Sequence, residues 1–338
     1  MKALIYEGPK DVKMKDVEKP KIGSDEVLIK TRFVAICGTD ISIFKGKFPV
    51  KKGVILGHEG SGVVEKVGSD VRNVKPGDEV IVAPYLFCGE CVPCRAGRRN
   101  VCRRREHLGI DLDGLLAEYF KLPSHAVYPL PEGMSLEEGA LVEPASVGYH
   151  AARRASPTPS DTVVIIGAGP IGLLVFQGVA AFGCQKIIVS ELIDKRAKLA
   201  EKLGAHRVIN PKKENLQEVV MKETGGDGAD IAIEAVGLPE TIAETVGLVR
   251  SAGRICLVGI PGGPLSFDFV SLIRREIDIV TSDCTLMSYE KTHELVAKKI
   301  IDVRPLISHT VEFKDVLKAF DILKDQQDAI KVLIKFPD

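Results

Sequence analysis

Cys88, Cys91, Cys94 and Cys102 fall within fifteen residues, CGECVPCRAGRRNVC, and make up half of the chain's eight cysteines. Four thiolates at C-x2-C-x2-C-x7-C spacing suffice for a tetrahedral zinc site with no open position, so the role they offer is structural. Disulfide pairing and a nucleic-acid zinc module are the competing readings. Pro93 and Gly97 leave no room for a reading helix between the ligands. The six arginines between 95 and 105 suit a solvated basic lobe beside the thiolates better than a phosphate track. Elsewhere, Cys37 in AICGTD and the adjacent His58–Glu59 in LGHEGSG supply a thiolate, an imidazole and a carboxylate. Three such ligands suit a catalytic zinc that keeps one position for water or substrate. Glu143, in VEPAS, is a fourth candidate, as a direct ligand or as the holder of the metal's water. A single Cys or His usually fills core; these are informative because they occur together in one β-rich region.

A second chemistry lies further along. VVIIGAGPIG places Gly167, Gly169 and Gly172 after a buried strand and before a helix, the context a G-x-G-x-x-G fingerprint requires. The first glycine permits the turn, the second lets backbone amides approach a pyrophosphate, and the third lets helix and strand pack closely. Glu191 closes the next strand, KIIVSE, nineteen residues after Gly172. A carboxylate there accepts hydrogen bonds from a ribose diol and repels a 2′-phosphate, which favours NAD over NADP. Lys195 and Arg196 stand near enough to accommodate a phosphate, and Arg196 could equally pack on an adenine. Pro170 and Ile171 within the turn, with Val236 and Val258 after two later strands, complete the expected cofactor lining.

These residues need elements to hold them. A chain of 338 residues is too long for one ordinary core and is expected to form two domains. Hydrophobic residues at 45% and charged residues at 27% describe a globular protein. Lys+Arg and Asp+Glu both total 46, so no net field draws nucleic acid or an anionic membrane. No apolar run is long enough to span a bilayer, and the N-terminus turns charged too early for a secretory signal. The expectation is a cytoplasmic protein, where clustered thiols stay reduced. Up to residue 120, short β-branched runs such as 26–36, 60–68 and 77–85 alternate with glycine and proline and predict an antiparallel β domain. A helical stretch over 131–155 leads to PTPSD, whose turn residues mark a boundary. Beyond it, apolar strands near 163, 186, 207, 230 and 254 alternate with helices, which predicts a doubly wound parallel sheet. The last fifty residues hold an amphipathic helix (314–325) and a strand (329–336) that fit neither pattern.

With GHEGSGVVEKVGSDV, PGDEV, the four-cysteine lobe, EPASVGYHAARR and VVIIGAGPIGLL in this order, the chain resembles the zinc-dependent medium-chain dehydrogenases/reductases along essentially its whole length. Its likeness is to their sorbitol (polyol) and L-threonine dehydrogenase branch. The resemblance implies a GroES-like β-rich catalytic domain over 1–155, a Rossmann NAD-binding domain over 156–290, and a C-terminal segment over 291–338 that completes the first. It implies two zinc ions per subunit: a catalytic one on Cys37, His58 and Glu59 with Glu143 beside it, and a structural one on Cys88, Cys91, Cys94 and Cys102. It further implies a small-molecule alcohol or polyol substrate, oxidised reversibly at a secondary hydroxyl with NAD, and a homodimer or homotetramer. Thr39 is the expected first member of a proton relay. Many relatives carry a histidine where this chain has Ser42, so the relay is expected to run through hydroxyls and water. That difference also weighs against the alternative, an L-threonine dehydrogenase. The usual Asp-Gly-Gly-Phe-Ala-Glu-Tyr stretch reads DGLLAEY here.

Overall fold

Strand Glu26–Ala35 buries Val27, Leu28, Ile29, Phe33, Val34 and Ala35, with apolar side chains on both of its faces. Such a strand belongs in the middle of a sheet. The computed structural model describes residues 1–283, 288–325 and 329–337, and the strand is central there. The seven-stranded sheet runs in the order Ile307–Glu312, Lys331–Lys335, Glu26–Ala35, Glu59–Val67, Glu79–Val82, Val127–Pro129, and Tyr119–Pro123 also pairs with Glu26–Ala35. All three partners of Glu26–Ala35 are antiparallel to it, and two of the registers meet at one residue: Ala35 faces Glu59 on one side and Leu333 on the other. The chain turns out of that strand directly into Cys37. Register alone therefore brings residues 37, 58–59 and 331 to one end of the sheet.

Two hairpins complete this region. Lys2–Gly8 pairs with Asp11–Asp16, and Tyr85–Leu86 pairs with Glu106–His107, so the cysteine lobe is a loop closed at its base by a short ribbon. The C-terminal segment shares the same core. Phe313, Val316, Phe320, Val332, Ile334 and Phe336 pack in one cluster with Val27, Ile29, Leu56, Val80 and Leu115. Phe313 and Phe336 stack at 4.1 Å, an arrangement worth about 1 kcal/mol beyond the area buried. Helix Tyr289–Ala297 joins them: Tyr289 Oη donates to the Val82 carbonyl at 2.7 Å, and Lys299 Nζ pairs with the buried Glu138 carboxylate at 2.5 Å.

The second compact unit is a six-stranded, all-parallel sheet ordered Arg207–Ile209, Lys186–Ser190, Thr162–Ile166, Ala229–Glu234, Val249–Leu257, Asp278–Thr281. Numbered in chain order this is 3-2-1-4-5-6, the dinucleotide-binding arrangement. The sixth strand, inside RREIDIV, was not expected from the sequence. Contacts divide the chain into residues 1–143, 289–299 and 303–338, against 144–288 and 300–302. The first division falls at 143/144, whereas the turn residues of PTPSD pointed to 155/156. Helix Val142–Ala155 explains the difference, because its glycine lets it press onto the parallel sheet's first helix. A Cβ on Gly148 would lie 2.5 Å from the Leu174 carbonyl carbon. The short return at 300–302 is held by Gln177, whose amide donates to the Asp302 carbonyl and accepts from the Asp302 N–H.

The ligand-bearing register depends on close strand approach at Thr31–Gly62, where a Cβ on Gly62 would sit 2.4 Å from the Lys30 oxygen. Gly62→Ala is expected to cost about 3 kcal/mol by overpacking, read as a lowered denaturant midpoint in equilibrium unfolding.

Candidate active site and metal centres

Cys37 ends the approach from strand Glu26–Ala35 and caps helix Gly38–Phe44. The Cys37 N–H donates to Asp40 Oδ2 at 2.9 Å, and the Gly57 N–H donates to Asp40 Oδ1 at 3.2 Å. One fully buried carboxylate thus ties the loop before His58 to the turn that bears Cys37. It also faces the imidazole: His58 Nδ1 lies 4.0 Å from Asp40 Oδ1 and has no closer polar partner among the described residues. At that distance the carboxylate stands beside the ring without hydrogen-bonding it, so Nδ1 is a buried polar atom left unpaired next to the cluster. One ligand atom each from Cys37, His58 and Glu59 lies within 4.8 Å of the others. The set has the donor chemistry of a three-ligand zinc site.

Glu59 has a partner that sequence reasoning missed. Lys331 Nζ donates to Glu59 Oε1 at 2.6 Å and to Oε2 at 2.5 Å, and both side chains are almost wholly buried. Burial pulls the Lys331 ammonium down, but Glu59 and then Cys37 outweigh it and hold the group above its ordinary value. The only signal was a lysine at the head of an apolar strand, and it is indistinguishable from Lys335, which points to solvent. Glu143 is buried near the set without belonging to the three-ligand cluster. Burial and then the charge of Glu59 push its carboxyl up to about 7, with His58 and Lys331 pulling the other way. Burial also raises Asp40, and burial followed by the Glu59 charge raises the Cys37 thiol. These shifts share a first cause, burial, which disfavours the charged forms, and the Glu59 carboxylate adds to it in each case. A dication is what such a cluster lacks, and a thiol bound to one is deprotonated outright. Thr39 is half-buried in the first helical turn, two residues past Cys37, and Ser42 lies one turn further along.

In the lobe, the sulfurs of Cys88 and Cys102 are 3.5 Å apart, those of Cys91 and Cys102 3.8 Å, and those of Cys88 and Cys94 4.0 Å. A disulfide would bring two of them to about 2 Å. Tetrahedral zinc at about 2.3 Å from each sulfur puts them about 3.8 Å apart, so the four thiols have the spacing of ligands. The Cys91 N–H pulls the Cys88 thiol down to about 6. N–H groups of Cys88 and Arg104 reach the Cys102 sulfur at 3.4 and 3.3 Å. Of the six arginines, Arg104 pairs with Glu90, Arg105 donates to the Asn100 carbonyl at 2.7 Å, and Arg99 stands 4.7 Å over Phe87. These arginines fasten the lobe to itself.

In the second unit, Gly167 adopts φ +94°, and a Cβ on it would strike Val236 at 2.6 Å. A Cβ on Gly172 would meet the Gly167 oxygen at 1.9 Å, so helix and turn touch there. Gly169 caps helix Pro170–Ala181, and a Cβ there would meet only Arg196, at 3.8 Å. Nothing within the described residues demands glycine at 169, and the space above the helix N-terminus is left open there. Glu191 is buried, its Oε2 accepting from the Ala168 N–H at 2.7 Å and its Oε1 from the Ile193 N–H at 2.8 Å. Each oxygen keeps a lone pair for a ribose hydroxyl. Pro170, Ile171, Arg196 and Val258 are half-buried, and Val236 is exposed. The Val258 N–H donates to the Glu234 carbonyl, and the Val236 N–H to the Glu234 carboxylate.

The alcohol dehydrogenase GroES-like domain matches residues 23–132, and the zinc-binding dehydrogenase domain matches residues 170–298. The chain is 36% identical to L-idonate 5-dehydrogenase of Vitis vinifera over 96% of this chain and 92% of that one. It is 35% identical to sorbitol dehydrogenase of Bacillus subtilis (strain 168), over 99% of this chain and 97% of that one. An alcohol dehydrogenase of Escherichia coli CFT073, solved in complex with NADH, superposes with a TM-score of 0.94 at 31% identity, covering 99% of each chain.

Lys331→Met strands the Glu59 carboxylate in the interior and is expected to lower stability by about 3 kcal/mol. Adding Glu59→Gln recovers most of that loss, and a double-mutant cycle in denaturant measures the coupling. The Glu143 carboxyl stands at about 7 in the folded, metal-free chain against an ordinary 4.5. Between those values the folded state binds more protons than the unfolded one, so stability falls as pH rises through that window. Unfolding of the chelated protein at several pH values should show this slope, and Glu143→Gln should flatten it.

Proposed function

The chain belongs to the zinc-dependent medium-chain dehydrogenases/reductases, which makes it an NAD(P)-dependent alcohol/polyol dehydrogenase, and we propose that it reversibly oxidises a secondary alcohol of a polyol, sugar or sugar acid to the ketone with NAD. The observation that carries this reading is the convergence of Cys37, His58 and Glu59 within 4.8 Å at the end of one sheet. L-idonate and sorbitol, named in two relatives, support the substrate class.

Cys37, His58 and Glu59 hold the catalytic zinc, with Glu143 as the neighbouring carboxylate, and Cys88, Cys91, Cys94 and Cys102 hold a structural one. Bound zinc supplies a Lewis acid for the reacting hydroxyl, and NAD accepts the hydride. Asp40 faces the His58 ring, and Lys331 holds the Glu59 carboxylate through both of its oxygens. Thr39 takes the substrate's hydroxyl proton and passes it outward by way of Ser42 and water. Secondary alcohol and NAD+ thereby become ketone, NADH and a proton. Gly167, Gly169, Pro170, Ile171 and Gly172 cradle the pyrophosphate, Glu191 accepts from the adenosine ribose, and Arg196, Val236 and Val258 line the rest. The buried Glu191 carboxylate supports NAD over NADP.

The enzyme works as a homodimer or homotetramer in the cytoplasm, where four clustered thiols remain available to a metal. Exposed Phe269, Val270, Ile273 and Ile279 beside the outer strand Asp278–Thr281 support association, since apolar surface of that kind is normally covered.

Metal analysis and a screen of xylitol, sorbitol, L-idonate, L-threonine and simple alcohols with NAD and NADP test the assignment. Two zinc ions per chain and turnover of a polyol or sugar acid are expected, with NAD preferred. Cys37→Ala should keep the fold and one zinc while losing activity about 10³-fold or more, the equivalent of about 4 kcal/mol of Lewis-acid stabilisation. Cys91→Ala should lose the other zinc and lower the melting temperature, because a closed site contributes folding energy. Equal loss of folding in both variants would refute this division of roles.

A further inference from the structure

The His107 side chain has no role in the chemistry assigned so far, yet it lies against that chemistry. Its ring is 9% exposed, and Nε2 has no hydrogen-bond partner among the described residues. A buried polar atom left unpaired costs about 1–3 kcal/mol, so native folds retain few of them, and those few generally meet water, an ion or a ligand. The ring is also held in place. It stacks on Tyr85 at 4.3 Å with the planes 8° apart, and its other neighbour is the His58 ring, 4.6 Å away at 56°. The backbone behind it is pinned: the His107 N–H donates to Asp111 Oδ2 at 2.9 Å, and its carbonyl accepts from the N–H groups of Ile110, Asp111 and Leu112. The unpaired nitrogen is thus presented by a rigid ribbon, one ring away from a proposed zinc ligand.

We propose that His107 is a specificity-determining residue whose Nε2 hydrogen-bonds a substrate hydroxyl on the carbon next to the one oxidised, selecting polyhydroxylated substrates over simple secondary alcohols. The inference rests on the reading of Cys37, His58 and Glu59 as the site of oxidation. A ring in contact with His58 is within the span of a vicinal diol whose reacting hydroxyl occupies that site. An imidazole nitrogen offers either a lone pair or an N–H, so it can meet a hydroxyl in either sense. A substrate without the second hydroxyl leaves the nitrogen unpaired, and that loss corresponds to about 10- to 100-fold in selectivity.

The zinc enzyme and its His107→Phe and His107→Gln variants, assayed with xylitol and with 2-pentanol, test this. His107→Phe keeps the stacked ring and removes the nitrogen; His107→Leu serves the same purpose should the phenyl ring not fit. The xylitol-to-2-pentanol ratio of kcat/KM is expected to fall about 10- to 100-fold in His107→Phe and to recover in part in His107→Gln. Titration of the Co²⁺-substituted proteins with xylitol, followed in the visible bands, reads affinity without turnover and should weaken in parallel. An unchanged ratio, an equal loss with both alcohols, or a His107→Gln ratio as low as that of His107→Phe would overturn the proposal. If no alcohol reduces NAD, the dehydrogenase reading fails separately. A xylitol-dependent spectral change that is lost in His107→Phe would still establish the contact.

Discussion

Asp40, Glu59, Glu143 and Cys37 crowd into one buried space, where the permanent cation that pairs with them among the described residues is the Lys331 ammonium. At an effective dielectric of about 20, two unit charges 4 Å apart interact by about 4 kcal/mol, comparable with what each ion loses by leaving water. One lysine can therefore balance one carboxylate, and it balances Glu59, which it grips through both oxygens. The remaining acids, Asp40, Cys37 and Glu143, all rise, first because burial disfavours their charged forms and then because Glu59 repels them. The fold has gathered there more ionisable acids than one ammonium can balance, a donor set whose chemistry suits a divalent ion.

The geometry that gathers these charges is simple. Glu59 and Leu333 both face Ala35 across antiparallel ladders, so residues about 300 apart in sequence meet at one strand end. Asp40 then fastens the two chain reversals together by accepting from the Cys37 and Gly57 N–H groups. The second unit solves a different problem with backbone alone. Its glycines divide their work, Gly167 for the turn, Gly172 for helix contact and Gly169 for clearance, and Glu191 clamps the turn through the Ala168 N–H.

Much of this was legible before any coordinates. Ligand types and spacing identified both cysteine-containing sets, and continuous apolar strands between helices identified the parallel sheet and its nucleotide fingerprint. These features are local: a few residues at fixed offsets carry them. Lys331, Asp40 and His107 were not legible as participants, because their roles are created by register and packing between distant segments. Lys331 and Lys335 look alike in AIKVLIKF and share one face of the strand, and only Lys331, at the end where Glu59 arrives, is buried. The boundary suggested by PTPSD was misplaced for a related reason. Turn residues record where the chain bends, whereas unit membership is decided by what a helix packs against, and Gly148 presses Val142–Ala155 onto the parallel sheet's helix. The sixth parallel strand, short and polar-flanked, lacked the apolar run that revealed the others.

The first unit is also broken in sequence, opening with residue 1 and closing with strand Lys331–Lys335. During synthesis the ribosome therefore finishes the parallel-sheet unit while its predecessor still lacks an interior strand and the ammonium that Glu59 requires. Domains fold as units while the chain emerges, so the later-made half can mature first. The earlier-made half must wait for its counterion until the strand Lys331–Lys335 has been made. Synthesis of that strand thus doubles as a checkpoint: a copy terminated before it would lack the ammonium that Glu59 requires.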